Sequence, residues 1–304
     1  MSVTLLESVW LYLTNFRNSR VFTARVSDHV HRATGMAPIL TRLVGMRVAT
    51  RAACLMTAAT PRPKPNVTQD PARNGLISIE PAPDGGVAHS ATFIGPMHGL
   101  GDTNMGWLDV AGHLHMEFLP HVKFVLPNAP TAPVTLNGGM QMPSWYDITS
   151  LDERAGQECE GIEASRSTVV NLIEQELAAG IPLSRIVVGG FSQGGALSLF
   201  TGLQYPGTLA GVCVMSGYLP KDEAFEVTEA AKATPVAHFH GIDDPVVKIE
   251  WARMSVERVR ARGVSKYDLT EYPGLQHGVN PEAIADVAAW LKTVLPPLGE
   301  KDEL

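Results

Sequence analysis

A mostly parallel α/β sheet with helices on both faces is the fold this sequence predicts, and three observations predict it. Segments of strand composition alternate with segments of helical length from about residue 75 onward. Ile186, Val187 and Val188 form a β-branched run of the kind found in strands buried on both faces. Glycines at 189, 190, 194 and 195 then bracket a turn, and the ALSLF pattern from Ala196 resumes as a helix. No apolar run approaches the ~18 residues that a membrane-spanning helix requires.

Taken in order, LISIEPAP from Leu76 reads as a strand, DGG as a turn, and VAHSATFIGPMHGLGD as a strand running into a glycine loop. Pro96 cannot donate to a strand ladder, so the second strand should stop or bulge near it. GWLDVAGHLHMEF looks helical, and HVKFVLPNAP is a buried strand with a proline-rich exit. An amphipathic helix is expected over residues 153–179, closed by Gly180 and Pro182. After the 186–200 stretch come the strand LAGVCVMSGYLP, the strand PVAHFH with the acidic loop GIDDPVV, and the helix KIEWARMSVERVRAR ended by Gly263. KYDLTEYP is the last strand, GLQHGV a loop, and PEAIADVAAWLKTVL a closing helix with proline in its first turn.

Charge divides the chain. Residues 1–73 carry ten Lys/Arg against three acids, Glu7, Asp28 and Asp70, whereas the remainder carries 14 against 28. The expected organisation is therefore a basic N-terminal extension over 1–73 and a globular domain over 74–304. The extension reads as an organelle transit sequence, as a disordered segment, or as upstream sequence ahead of a true start at Met36, Met46 or Met56. A net charge of −7 gives no support for nucleic acid as the main partner. Cys54, Cys159 and Cys213 match neither a zinc site nor a disulfide framework, and Cys213 reads as a buried strand residue.

The chemistry centres on Gly190-Phe191-Ser192-Gln193-Gly194. G-x-S-x-G between a strand and a helix is the nucleophile-elbow pattern, in which a sharp turn exposes the serine oxygen above a helix N-terminus. The five-residue pattern is weak evidence alone. Its weight comes from an acid and a histidine downstream in the order this architecture needs, each in a loop after a strand. Asp244 lies in HGIDDP and His277 in GLQHGV. Asp243 is the rival acid; Asp244 is preferred because Pro245 stiffens the loop after it. Oxyanion binding requires two N–H donors, expected from the backbone of Gln193 and from the HGLGD loop at 98–102. His238 and His240 read as packing residues, and no carboxylate or cysteine completes a metal set with His113, His115 and His121. No metal or other cofactor is expected.

HGLGDTNMGW at 98–107, PNAPTAPVTLNGGMQMPSWYDI at 127–148, GGFSQGGALSL at 189–199, HGIDDPVV at 240–247 and GLQHGV together resemble the acyl-protein thioesterase/carboxylesterase (lysophospholipase-like) group of α/β-hydrolases, over roughly residues 76–297. The resemblance implies Ser192, Asp244 and His277 as the triad and Leu100 and Gln193 as the backbone oxyanion donors. It implies a short groove without a large lid, in which roughly Leu136 to Trp145 helps hold the acyl chain, with Met140, Met142 and Trp145 as candidate contacts. The implied activity is hydrolysis of acyl thioesters or esters on S-acylated protein, lysolipid or small acyl-ester substrates. A general short-chain carboxylesterase and a non-catalytic ligand receptor are the alternatives. The family implies a cytoplasmic location. The ending Lys301-Asp302-Glu303-Leu304 reads instead as an endoplasmic-reticulum retrieval signal, in which case Asn66-Val67-Thr68 becomes a glycosylation acceptor.

Overall fold

The computed structural model describes residues 63–82, 87–151 and 156–299. The extension over residues 1–62 with Cys54, the DGG turn, the start of the helix expected from Glu153, and Lys301–Leu304 lie outside the described residues. The strands are β1 (Asn66–Asp70), β2 (Leu76–Glu80), β3 (Ala91–Met97), β4 (Val122–Leu126), β5 (Thr131–Val134), β6 (Met140–Pro143), β7 (Ile186–Phe191), β8 (Gly211–Met215), β9 (Val236–Gly241) and β10 (Tyr267–Tyr272). The α-helices are α1 (Met105–Glu117), α2 (Ile162–Ala178), α3 (Gln193–Gln204), α4 (Ile249–Ala261) and α5 (Pro281–Val294).

Eight strands form one sheet in the order β1-β2-β4-β3-β7-β8-β9-β10. From β4 to β10 every neighbour is parallel; β1 and β2 add an antiparallel edge. The strand order reverses between β3 and β7, and the crevice beyond the carboxyl ends at such a point is where ligands of open α/β sheets bind. Alternation along β7 explains the two-sided core. Ile186 and Val188 pack with α2, α3 and α4 on one face, while Val187 packs with α1 and α5 on the other. The closing helix starts as its sequence requires: the Asn280 side chain accepts the Ala283 N–H at 2.8 Å, and Pro281 occupies the first turn.

Three local differences from the expected elements have physical causes. Asn66–Asp70 pairs with β2, so the sheet takes in part of the stretch assigned to the basic extension. NVTQD carries one apolar residue and forms an exposed edge, which leaves no burial pattern to read. The helix expected from residue 153 begins at Ile162, because Cys159 and Gly161 stand at positive φ (51° and 91°), where no α-helix continues. Residues 131–143, read only as a motif, form the separate hairpin β5–β6. At Pro96 the β3–β7 register does shift, between Ile94 and Met97, and the Gly95–Pro96 bond is cis.

Two of the histidines cap carbonyls: His115 Nδ1 donates to Val122 O at 2.9 Å and His121 Nε2 to Leu295 O at 2.9 Å. Burial is the largest cause that holds His89, His98, His115, His121, His238 and His240 below the ordinary imidazole value of 6.5. The unfolded chain therefore takes up protons that the folded chain refuses. Stability is fully present above about pH 6.5 and is lost as acid is added below it. Urea midpoints measured from pH 7.5 to 5 are expected to fall steadily once pH drops through about 6.5. A midpoint that stays flat until the carboxylates titrate contradicts this.

Candidate active site

Ser192 sits between β7 and α3 at φ 54° and ψ −118°, a backbone conformation that ordinary residues avoid at a cost of about 1–3 kcal/mol. The flanking glycines permit the turn. A Cβ on Gly194 would stand 2.2 Å from the Met97 carbonyl oxygen, and one on Gly190 would stand 2.5 Å from the Gly194 carbonyl carbon. Side chains at either position would push β3 and α3 away from the elbow. The β3–β7 pairing also brings the loop after β3 against Ser192, with the Cβ position of Gly99 at 3.4 Å from Ser192 Cβ.

The acid arrives from the loop after β9. Asp244 Oδ1 accepts the N–H groups of Val246 and Val247, each at 2.8 Å, which fixes the carboxylate plane. Its Oδ2 accepts His277 Nδ1–H at 2.6 Å. Burial opposes a charge here, but the His277 contact and the two amides outweigh it and hold the carboxyl below its ordinary value. Asp243 faces elsewhere: its Oδ2 accepts the Gly274 N–H at 2.7 Å and so pins the loop that carries His277. His277 Nε2 lies 2.9 Å from Ser192 Oγ, and its ring packs against Phe191 with centroids 4.8 Å apart. With Nδ1 donating to the carboxylate, the lone pair of a neutral Nε2 faces the hydroxyl. That arrangement lets the serine proton leave.

Gln193 opens α3, so its backbone N–H has no acceptor within the helix. Its side chain holds the neighbouring segment, which the spacing of motifs gave no signal for. Oε1 accepts the Trp145 N–H at 2.9 Å, while Nε2 donates to Ser144 Oγ at 3.0 Å and to Tyr146 O at 2.7 Å. Trp145 in turn donates its indole N–H to His98 O at 2.8 Å. His98 is neutral and fully used, with Nδ1 donating to Gly99 O at 2.8 Å and Nε2 accepting the Ala129 N–H at 3.0 Å. The loop bearing Leu100 is thus braced by Trp145 and Ala129.

A cavity of about 320 Å³ opens beside Ser192 and His277, lined by Leu100, Leu136, Ile148, Leu151, Phe191 and Val246 together with Gly99 and Asp102. Met140, Met142 and Trp145, the expected acyl contacts, are absent from that lining, whereas Leu136 of the same segment belongs to it. Met140 is 63% exposed on β6. Met142 takes a contact from Asn137 Nδ2 at 3.3 Å, and Trp145 is buried with its indole N–H committed to His98. The hairpin places Leu136 in the lining, while Met142 Sδ lies 3.6 Å from the Cβ position of Gly101, next to Leu100. A larger groove of about 870 Å³, bounded by Arg73, Trp145 and α2, contains none of Ser192, Asp244 or His277.

Residues 85–295 match the model of the phospholipase/carboxylesterase family. The chain is 44% identical over 229 residues to acyl-protein thioesterase 1 of Mycosarcoma maydis, covering 70% of this chain and 95% of that protein. It is 39% identical over 210 residues to acyl-protein thioesterase 1 homolog 1 of Dictyostelium discoideum, covering 68% and 92%. Among solved structures, Zea mays acyl-protein thioesterase 2 superposes with a TM-score of 0.63 at 30% identity, over 72% of this chain and 98% of that one.

Proposed function

The chain belongs to the phospholipase/carboxylesterase family of α/β-hydrolases, and from that premise we propose that it is a serine hydrolase releasing acyl chains from S-acylated protein or lysolipid substrates through Ser192, His277 and Asp244. The observation that carries the reading is the continuous hydrogen-bonded line from Asp244 through His277 to Ser192, ending at an apolar cavity. Ser192 Oγ attacks the acyl carbonyl while His277 Nε2 takes its proton. The oxyanion is bound by the N–H groups of Leu100 and Gln193, and Asp244 stabilises the imidazolium. Collapse expels the leaving group, protonated by His277. Water, deprotonated by the same imidazole, then releases the fatty acid. A thiol leaving group, with its ordinary pKa near ~8.5, departs more readily than an alcohol, so thioesters suit a site with no metal in its mechanism. We place the domain boundary of this hydrolase close to the start of β1 and treat the basic residues before it as an appendage.

Acyl binding in the cavity dictates how rate follows chain length. Burying one methylene gains about 0.8 kcal/mol, or roughly fourfold in kcat/KM per carbon. The cavity of about 320 Å³ takes on the order of ten water-sized units, each near ~30 Å³. A series of acyl thioesters and oxygen esters from two to sixteen carbons is therefore expected to show kcat/KM rising with length and levelling near ten carbons. A maximum at two to four carbons would instead make the protein a short-chain carboxylesterase. No turnover of any member, by wild type or Ser192→Ala, would leave a ligand receptor.

A further inference from the structure

Behind the acid loop lies a buried relay that the reaction scheme leaves unused. Tyr267 Oη is 3.0 Å from His238 Nδ1, His238 Nε2 is 3.1 Å from His240 Nδ1, and His240 Nε2 is 2.7 Å from Val247 O. All three side chains are fully buried. His240 Nε2 also lies 3.5 Å from Asp244 Oδ2, an electrostatic contact rather than a hydrogen bond. That is the same oxygen that receives His277 Nδ1–H.

The protons along this line take the one order that satisfies both its ends, the Val247 carbonyl and the Tyr267 hydroxyl. A carbonyl oxygen only accepts, so His240 Nε2 must donate to Val247 O. A neutral imidazole carries one N–H, so His240 Nδ1 is an acceptor and His238 Nε2 must donate to it. His238 Nδ1 is then the acceptor for the Tyr267 hydroxyl. Burial disfavours a charge on either imidazole, so a protonated ring does not break this order. The groups facing the pair are Tyr267 and Glu271 of β10, Asp244 and Val247 of the acid loop, His277, and the Gly217 backbone beside His238.

We propose that His240 is a positioning residue for the acid of the triad, and that His238 and Tyr267 lock it in the tautomer that turns an N–H, not a lone pair, toward Asp244. This rests on the serine-hydrolase reading. The N–H at Oδ2 offsets part of the carboxylate's charge and tethers Val247, whose own N–H holds Oδ1. A lone pair in its place would repel both oxygens and loosen the loop. Neither strand composition nor spacing distinguishes this from core filling, which is how both histidines read in the sequence.

The test is the rate of fluorophosphonate labelling of Ser192 in the full-length protein from pH 5 to 9, read by intact mass. Alanine at 240 removes the positive edge near Oδ2 and the tether on Val247, while the Val246 amide still holds the carboxylate. His240→Ala is therefore expected to move the acid limb of labelling upward by about half a pH unit and to slow labelling about tenfold on the plateau. His240→Gln, which returns an N–H donor at similar reach, is expected to restore both. Any other pattern overturns the proposal, including a slower rate with an unmoved limb, which a purely structural role would give. If circular dichroism shows that His240→Ala does not fold, Tyr267→Phe decides. It deletes one hydroxyl, and the limb must still move upward; an unmoved limb overturns the relay. A wild type that takes no label overturns the serine-hydrolase reading and the relay with it, whereas a labelled wild type beside identical relay variants overturns the relay alone.

Discussion

Alanine at Ser192 is expected to reduce acyl thioester turnover by about 10⁴–10⁶ while leaving thermal stability at or above that of wild type. In the proposed scheme the hydroxyl bonds the acyl carbon, and His277 Nε2 at 2.9 Å from it is the base placed to take its proton. What survives is binding plus whatever the Leu100 and Gln193 amides do for attack by water. The stability clause follows from the elbow. Ser192 is held at φ 54° with or without its oxygen, so alanine inherits the same backbone and removes only a hydroxyl. His277→Ala should cost a similar factor, and the double variant little more than either, because the two act as one unit. A double variant whose losses multiply would mean that the residues work separately.

Asn at Asp244 is expected to lower kcat by about 10⁴ with KM nearly unchanged, the size of effect a reversed tautomer gives in other serine hydrolases. The geometry supplies the reason. Oδ1 must remain an oxygen, since it accepts two backbone N–H groups at 2.8 Å. The amide nitrogen is therefore forced into the Oδ2 position, facing His277 Nδ1 at 2.6 Å. Two donors cannot meet there, so the imidazole shifts its proton to Nε2 and presents a donor, not an acceptor, to Ser192. Asp243→Asn makes the contrast: that residue accepts a single N–H from Gly274, and its amide oxygen can turn to keep it. Steady-state kinetics on the pair should separate the neighbours by at least about a hundredfold. Equal losses at 243 and 244 would reject the assignment of the acid.

The sheet and the triad candidates were legible because each left a local signature. Ile186 to Val188 are β-branched and buried on both faces, and the glycines at 190 and 194 occupy contacts closer than any Cβ tolerates. Asp244 and His277 stand in loops that follow strands, and the order of elements alone predicts where such loops gather. The acyl cavity was not legible. Its lining comes from Leu136, Ile148, Leu151 and Val246 on three separate segments that only the folded chain brings together. The role of the Gln193 side chain was hidden for the same reason, since its three partners lie 47 to 49 residues away in sequence. β1 leaves no signal because an exposed edge strand of polar residues carries no alternation.

The central claim is that Ser192 becomes covalently acylated by a base held in place from Asp244. Rapid mixing with a ten-carbon acyl thioester, acid quench and peptide mass analysis tests it directly. The account predicts a transient acyl mass on the peptide containing Ser192, present in wild type, absent in Ser192→Ala, and formed far more slowly in Asp244→Asn. Thioester cleavage at the wild-type rate with no acyl mass on that serine, or with the mass on another residue, would contradict it.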